Sequence, residues 1–240
     1  MAMKNPALAV DLDGTLLHPE PEAIAVKGSS GFQYMSKKAG NLLERISQKL
    51  PIIIATGRNA ASISRLTQQL SDTCFAGFVM ENGMVSRTCA APAHRKHDPW
   101  QSLVQALKGW ERLEEYENCL GVRVPDKIDS PLIAVKKAMA ASGTTGFIYT
   151  EPKKVFIYPS VPSKLAGIRQ LGFAPFIVIG DEKNDLDMIE AAFHPATLCT
   201  AHENVLKFVA QQNGYCSKKT SHAATEDMLE WAENIVNKHY

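Results

Sequence analysis

The chain has 240 residues, 45% hydrophobic and 21% charged, with a formal net charge of +1. That is an ordinary globular composition, long enough for one large or two modest domains. The near-neutral balance excludes a general electrostatic attraction to nucleic acid or to an anionic membrane surface. No uninterrupted apolar run approaches the ~20 residues that a membrane helix needs. The N-terminal apolar stretch is not a secretory h-region, because it runs directly into Asp11. The five cysteines (Cys74, Cys89, Cys119, Cys199, Cys216) are odd in number and scattered, with no CxxC. They are expected to be reduced thiols in a cytoplasmic protein.

In chain order, Ala7–Val10 predicts a buried strand that ends abruptly in Asp11-Leu12-Asp13-Gly14-Thr15. Leu17 to Gly31 is rich in Pro, Gly, Glu and Ser and reads as a loop beside the strand end. Apolar groups at Ala39, Leu42, Leu43, Ile46 and Leu50 predict a helix over Ser36–Leu50, stopped by Pro51. A second apolar strand, Ile52–Ala55, delivers Thr56-Gly57-Arg58, and a helix follows from about Asn59 to Leu70. Phe78–Met80 predicts a short strand closed by the turn Glu81-Asn82-Gly83. Strand and helix alternate, which predicts a Rossmann-like, doubly wound parallel sheet with helices on both faces.

The alternation breaks after Val85. Ser86 to Pro99 is polar and basic (Arg87, His94, Arg95, Lys96, His97). A helix over Trp100–Tyr116, a strand at Gly121–Val124, a helix over Pro131–Ala141 and strands at Gly146–Tyr149 and Val155–Tyr158 predict a small inserted α+β module. The core pattern resumes with helix Lys164–Leu171 and strand Phe176–Ile179, which runs into Gly180-Asp181 and Asn184-Asp185. Helix Leu186–Ala192, strand Ala196–Cys199, helix Asn204–Gln211 and a closing helix over Thr225–Asn237 complete it. The expected boundaries are therefore a core of 1–85 and 161–240 with an insert of 86–160.

The chemistry follows from the strand ends. Residues two apart on an extended chain point the same way, so Asp11 and Asp13 both look into one site, at the end of the sheet where open α/β folds bind ligands. Two close carboxylates are costly unless a cation or a transferred proton relieves them, which implies a divalent metal, acid/base work, or both. A dinucleotide-binding dehydrogenase and a P-loop enzyme are excluded, because neither G-x-G-x-x-G nor a P-loop occurs. His94-x-x-His97 and the basic residues around it read as a solvated loop. Trp100 and Trp110 read as core of the insert.

Asp11-Leu12-Asp13-Gly14-Thr15, Thr56-Gly57-Arg58, Lys164 and Gly180-Asp181 through Asn184-Asp185, in that order, resemble the four motifs of the haloacid dehalogenase-like phosphohydrolases. The insert falls where that superfamily places its type-2 caps, as in its Cof-type and sucrose-phosphatase-like branch, and Glu81-Asn82-Gly83 resembles the turn before such a cap, which implies a hinge. The resemblance implies a Mg²⁺-dependent phosphatase acting on a small phosphorylated metabolite, such as a sugar phosphate. By the same resemblance Asp11 is the nucleophile, and Asp13 is the general acid/base and a metal ligand through its carbonyl. Lys164 is the neutralising cation, with Lys153 and Lys154 as rivals. Gly14, Thr56, Gly57, Arg58 and Asn184 would bind phosphate or substrate, although Arg58 alternatively pairs at the surface and Thr56 alternatively caps the next helix. Asp181 would ligate the metal directly; Asp185 would do so through water or would orient Lys164. A monomer or homodimer, with no nucleic-acid or membrane partner, is expected. The rival readings are a phosphomutase and a non-catalytic binding protein on the same scaffold.

Overall fold

The computed structural model describes residues 5–28, 31–88 and 98–240. Cys89, His94, Arg95, Lys96 and His97 lie outside the described residues. The chain divides into two compact units, Met1–Ala90 with Ser163–Tyr240, and Ala91–Pro162.

The first unit begins with strands β1 (Pro6–Val10), β2 (Ile24–Gly28) and β3 (Gly31–Met35), then α1 (Lys37–Ser47), β4 (Ile52–Ala55), α2 (Ala60–Thr67), β5 (Phe75–Met80) and β6 (Val85–Arg87). The second unit holds α3 (Gln101–Ala106), β7 (Glu111–Leu113), β8 (Leu120–Arg123), α4 (Pro131–Ser142), β9 (Phe147–Glu151) and β10 (Lys154–Tyr158). The first unit is completed by α5 (Lys164–Gln170), β11 (Ala174–Ile179), α6 (Leu186–Glu190), β12 (His194–Leu198), α7 (Glu203–Gln211), β13 (Tyr215–Ser217) and α8 (Ser221–His239).

Seven strands of the first unit form one sheet in the order β13-β12-β11-β1-β4-β5-β6. All neighbours are parallel except β5 and β6, which run antiparallel. Alternate residues of a strand face opposite sides of its sheet. All four residues of β4 and the last five of β11 are buried, so both faces are covered, as a doubly wound sheet requires. β1 lies between β4 and β11, and the chain therefore leaves β1 and returns on both of its sides. That is a topological switch point, where the loops at the carboxyl ends diverge and open a crevice.

Two elements differ from expectation in this unit. The segment read as a loop from Leu17 to Gly31 contains β2, which pairs antiparallel with β3 as a hairpin from Ile24↔Met35 to Gly28↔Gly31. Val26 and Met35 are fully buried and anchor it, while Phe32 stands out in solvent. Short strands also occur at β6 and β13, which were not foreseen.

The second unit is a four-stranded antiparallel sheet in the order β7-β8-β10-β9, with α3 and α4 packed together. Its core is Trp100, Leu103, Leu107, Leu120, Val122, Val135, Ala138, Met139, Val155 and Ile157, with Trp110 packed against it. The predicted helix over Trp100–Tyr116 is cut short at Ala106. Gly109 (φ +83°) and Glu115 (φ +69°) turn the chain out of helical geometry, and β7 takes the place of the last turns. Among the described residues no helix is long and apolar enough to cross a membrane. Cys74, Cys199 and Cys216 are free thiols, and Cys119 is buried.

Candidate active site

Four loops meet at the carboxyl ends of β1, β4, β5 and β11, and each brings polar groups out of an apolar strand. Asp11 follows β1 directly and is buried, its amide donating to the Ile179 carbonyl (2.9 Å). The chain then closes on itself: the amides of Leu16 and Leu17 donate to the Leu12 carbonyl, and that of Gly14 to Leu17. Gly14 sits at φ +86°, and a Cβ there would stand 2.3 Å from Asp181 Oδ2. Only glycine allows this approach of the first loop to the fourth.

Lys164 joins the loops electrostatically. Its Nζ donates to Asp11 Oδ1 (2.6 Å) and to Asp185 Oδ1 (2.5 Å), with Lys164 and both carboxylates buried. Asp185 Oδ2 accepts the amides of Asp181 (3.0 Å) and Glu182 (2.9 Å). Both oxygens of Asp185 are thus engaged in holding Lys164 and the fourth loop. Among the described residues nothing donates to Asp11 Oδ2. Lys153 and Lys154 lie in and beside the β9–β10 hairpin of the second unit.

Oxygens of Asp11, Asp181 and Asp185 lie within 4.8 Å of one another. Burial pushes the Asp11 carboxyl well above its ordinary range, against the pull of Lys164. Burial also pushes Asp181 up to about 7, although the Thr15 hydroxyl bonded to it (2.6 Å) favours the ionised form. For Lys164 burial works downward, but the two carboxylates outweigh it and raise the value above the usual lysine range. Three acidic groups against one lysine leave negative charge uncompensated in a dry place, and an all-oxygen donor set suits a hard divalent cation. The buried Oδ1 of Asn184, between Asp181 and Asp185 in sequence, has no partner and adds an acceptor in want of a donor. The residues fit a cation such as Mg²⁺.

Arg58 is not at the surface, as one expectation had it, but 8% exposed. Its Nε and Nη2 donate to Asp13 Oδ2 (2.7 Å) and Oδ1 (2.6 Å), and its Nη1 to Ser62 Oγ (3.0 Å). Nor does Thr56 cap the helix after it. Asn59 is the N-cap of α2, its side chain accepting from the Ser62 amide, and the buried Thr56 hydroxyl accepts instead from the Arg58 amide (3.2 Å).

The turn read as a hinge lies inside the site. Glu81, Asn82 and Gly83 all have left-handed backbones (φ +51°, +55°, +100°), rare for the first two. The Glu81 amide donates to the Arg58 carbonyl (3.1 Å) and that of Asn82 to the Thr56 carbonyl (2.9 Å), while Asn184 Nδ2 donates to Asn82 Oδ1 (3.0 Å). Asn82 therefore links the second and fourth loops, and its amide lies against Gly57. Asp187 was also overlooked: its Oδ2 accepts from Ser163 Oγ (2.5 Å) and the Leu165 amide (3.1 Å), fixing the backbone on both sides of Lys164. Three consecutive turn-formers after β5 were the only sequence signal for Asn82, and Asp187 had none.

Residues 8–93 match the family model of the haloacid dehalogenase-like hydrolases. Solved structures extend the likeness of fold over nearly the whole length. A haloacid dehalogenase-like hydrolase from Bacteroides thetaiotaomicron has a TM-score of 0.71 at 17% identity, covering 95% of this chain and 100% of that one. A Thermoplasma acidophilum protein has a TM-score of 0.69 at 16% identity, covering 97% and 99%. A sucrose-phosphatase from Synechocystis, solved with sucrose and phosphate, has a TM-score of 0.62 at 15% identity, covering 96% and 99%. No curated protein matches the chain. The loops after β1, β4, β5 and β11 and the Lys164 side chain thus converge on one acidic cluster within the first unit.

Proposed function

We propose that the protein is a Mg²⁺-dependent phosphomonoesterase that works through a phospho-Asp11 intermediate on a small phosphorylated metabolite, such as a sugar phosphate. The observation that carries this reading is the buried Asp11–Lys164–Asp185 chain beside Asp181, with Asp13 held by Arg58 at the same strand ends.

Asp11 Oδ1 is bound by Lys164, and Oδ2 is the oxygen that attacks phosphorus; the bond to the leaving alkoxide breaks as the new one forms. Asp13, kept in one orientation by the Arg58 fork, gives its proton to that alkoxide. It then takes a proton from the water that opens the acyl-phosphate. Lys164 balances charge on Asp11 and the transferring group. The Thr56 hydroxyl and the backbone amides around Gly14 and Gly57 are donors for phosphoryl oxygens. Asp11, Asp181 and the Asp13 carbonyl would hold the cation, which would shield the phosphate charge and offset its repulsion from Asp11. Asp185 acts as the holder of Lys164.

The α+β unit of residues 91–162 is the part that selects the substrate; its own sheet and core give it a rigid frame for doing so. The sugar-phosphate class is favoured by the phosphatases among structures of like fold. The protein is proposed to act as a monomer or homodimer, and free thiols such as Cys74, Cys199 and Cys216 suit a reducing cytoplasm.

The test is phosphate release from a panel of sugar phosphates, phosphoglycolate and phosphoglycerate derivatives, with Mg²⁺ and with EDTA, beside Asp11→Asn. Metal-dependent release that is absent in the variant is the expected result. Release insensitive to both EDTA and Asp11→Asn would refute the proposal.

A further inference from the structure

We infer that Thr225, on the C-terminal helix, is a positioning residue for the cation site, acting through Thr15 on Asp181. The inference rests on the reading of Asp181 as a metal ligand.

Thr225 lies 210 positions from Thr15 in sequence, yet its Oγ1 donates to the Thr15 carbonyl at 2.5 Å. A hydroxyl has one proton to give, and here it is committed to that carbonyl. His18 Nε2, 2.7 Å from the same Oγ1, must therefore be the donor to it, which fixes His18 as the Nε2–H tautomer. Burial lowers the His18 pKa, in keeping with a neutral ring. Thr15 in turn donates its own hydroxyl to Asp181 Oδ1 at 2.6 Å. The result is a directed series, His18 to Thr225 to the Thr15 carbonyl, with the Thr15 side chain ending on the carboxylate. Its bonds polarise one another in a low-dielectric setting. Thr15, His18 and Thr225 are 0%, 5% and 1% exposed, so bulk water cannot take the place of the missing group.

The frame behind Thr225 is firm. Ser221 Oγ donates to Glu20 Oε2 (2.7 Å), and His222 Nε2 bonds the Glu20 carbonyl (2.8 Å), so the start of α8 grips the chain just beyond the first loop. One turn beyond Ser221 and His222, Glu226 accepts from Ser36 at the N-cap of α1 (2.7 Å). The first loop itself is a tight turn, and it reaches Asp181 at both Gly14 and Thr15. A shift of the Thr15 carbonyl therefore moves the hydroxyl that orients Asp181. Groups one bond removed from a ligand, as Thr15 is from Asp181, typically cost about 10- to 100-fold in metal affinity when lost, and Thr225, one group further out, is expected at the lower end of that range.

The experiment is a calorimetric titration with Mg²⁺ alone of the wild-type protein, Thr225→Val, Thr225→Ser and Asp181→Asn, with thermal midpoints recorded. Valine keeps the shape and removes the hydroxyl; serine keeps the hydroxyl. Binding about tenfold weaker in Thr225→Val, with wild-type affinity in Thr225→Ser, is expected. Should Thr225→Val not fold, His18→Leu takes its place, because it deprives Oγ1 of its donor and is expected to weaken Mg²⁺ in the same direction. Wild-type affinity in Thr225→Val or its substitute, with only the thermal midpoint lowered, overturns the inference. No Mg²⁺ binding by the wild type, or undiminished binding by Asp181→Asn, overturns the metal-site reading and this inference with it.

Discussion

Arg58 grips Asp13 with two parallel hydrogen bonds, Nε to Oδ2 at 2.7 Å and Nη2 to Oδ1 at 2.6 Å. The guanidinium is 10% exposed and the carboxylate 51%, so a buried fork aims a group that is open to solvent. Lysine carries the charge but not the planar fork. Arg58→Lys should therefore lower kcat by up to about 100-fold, no more than the lower end of the roughly 10²- to 10⁴-fold attributed to a positioned acid/base, while changing KM far less. Steady-state kinetics on para-nitrophenyl phosphate with saturating Mg²⁺ checks this. An equal loss in KM would assign Arg58 to substrate binding instead.

Lys164 is enclosed between two buried carboxylates. Removing it leaves both without their counter-ion, and losing one partner of a buried pair costs roughly 3–5 kcal/mol. Lys164→Met should show that loss in denaturant unfolding of the metal-free protein. Added Mg²⁺ should restore part of it, because the cation supplies positive charge at the same carboxylates. A stability close to wild type would mean that the acidic groups are relieved in another way.

The Asp181 carboxyl is raised from 3.8 to about 7 by burial. Its folded value exceeds its unfolded one, so the folded state holds the extra proton between those values. The stability this proton lends is present below pH 3.8 and is lost as pH rises through about 7. Mg²⁺ competes for the same site, and its affinity should increase over the same interval. Thermal midpoints recorded against pH, with and without Mg²⁺, test both signs. Asp181→Asn should remove this share of the pH dependence.

Gly83 has φ +100°, and a Cβ there would stand 1.9 Å from the Ser163 carbonyl oxygen, at the N-cap of the helix that carries Lys164. Gly83→Ala is expected to cost at least 1–3 kcal/mol from backbone strain alone and to displace Lys164, lowering kcat as well. Asn82→Gly keeps the left-handed backbone and removes only the amide, so it should spare stability more than kcat. Chemical denaturation and kinetics of the two variants separate these effects.

The strand ends were legible because an apolar run stopping at a carboxylate or a glycine is a local signal. β1, β4 and β11, with Asp11, Thr56 and Asp181 after them, could be read in this way. The β2–β3 hairpin was hidden because Pro, Gly and Ser around it outweigh two short alternating runs in composition. The helix expected over Trp100–Tyr116 ends at Ala106, ahead of the left-handed Gly109, because the apolar spacing beyond it also suits β7. Arg58 was misplaced because nothing local shows that a cation after Thr56-Gly57 turns inward to a carboxylate 45 residues earlier. Asn82, Asp187 and Thr225 act through tertiary contacts with Asn184, Leu165 and Thr15. No periodicity or motif spacing encodes such pairings.

In the proposed mechanism Asp11 carries the phosphoryl group. Acid-quenching the enzyme during turnover of para-nitrophenyl phosphate with Mg²⁺, followed by mass spectrometry of the Asp11-containing peptide, detects that adduct. One phosphoryl group on Asp11 is expected, accumulating further in Asp13→Asn and absent in Asp11→Asn. Continued phosphate release with Asp11 unmodified in both the wild type and Asp13→Asn would contradict it.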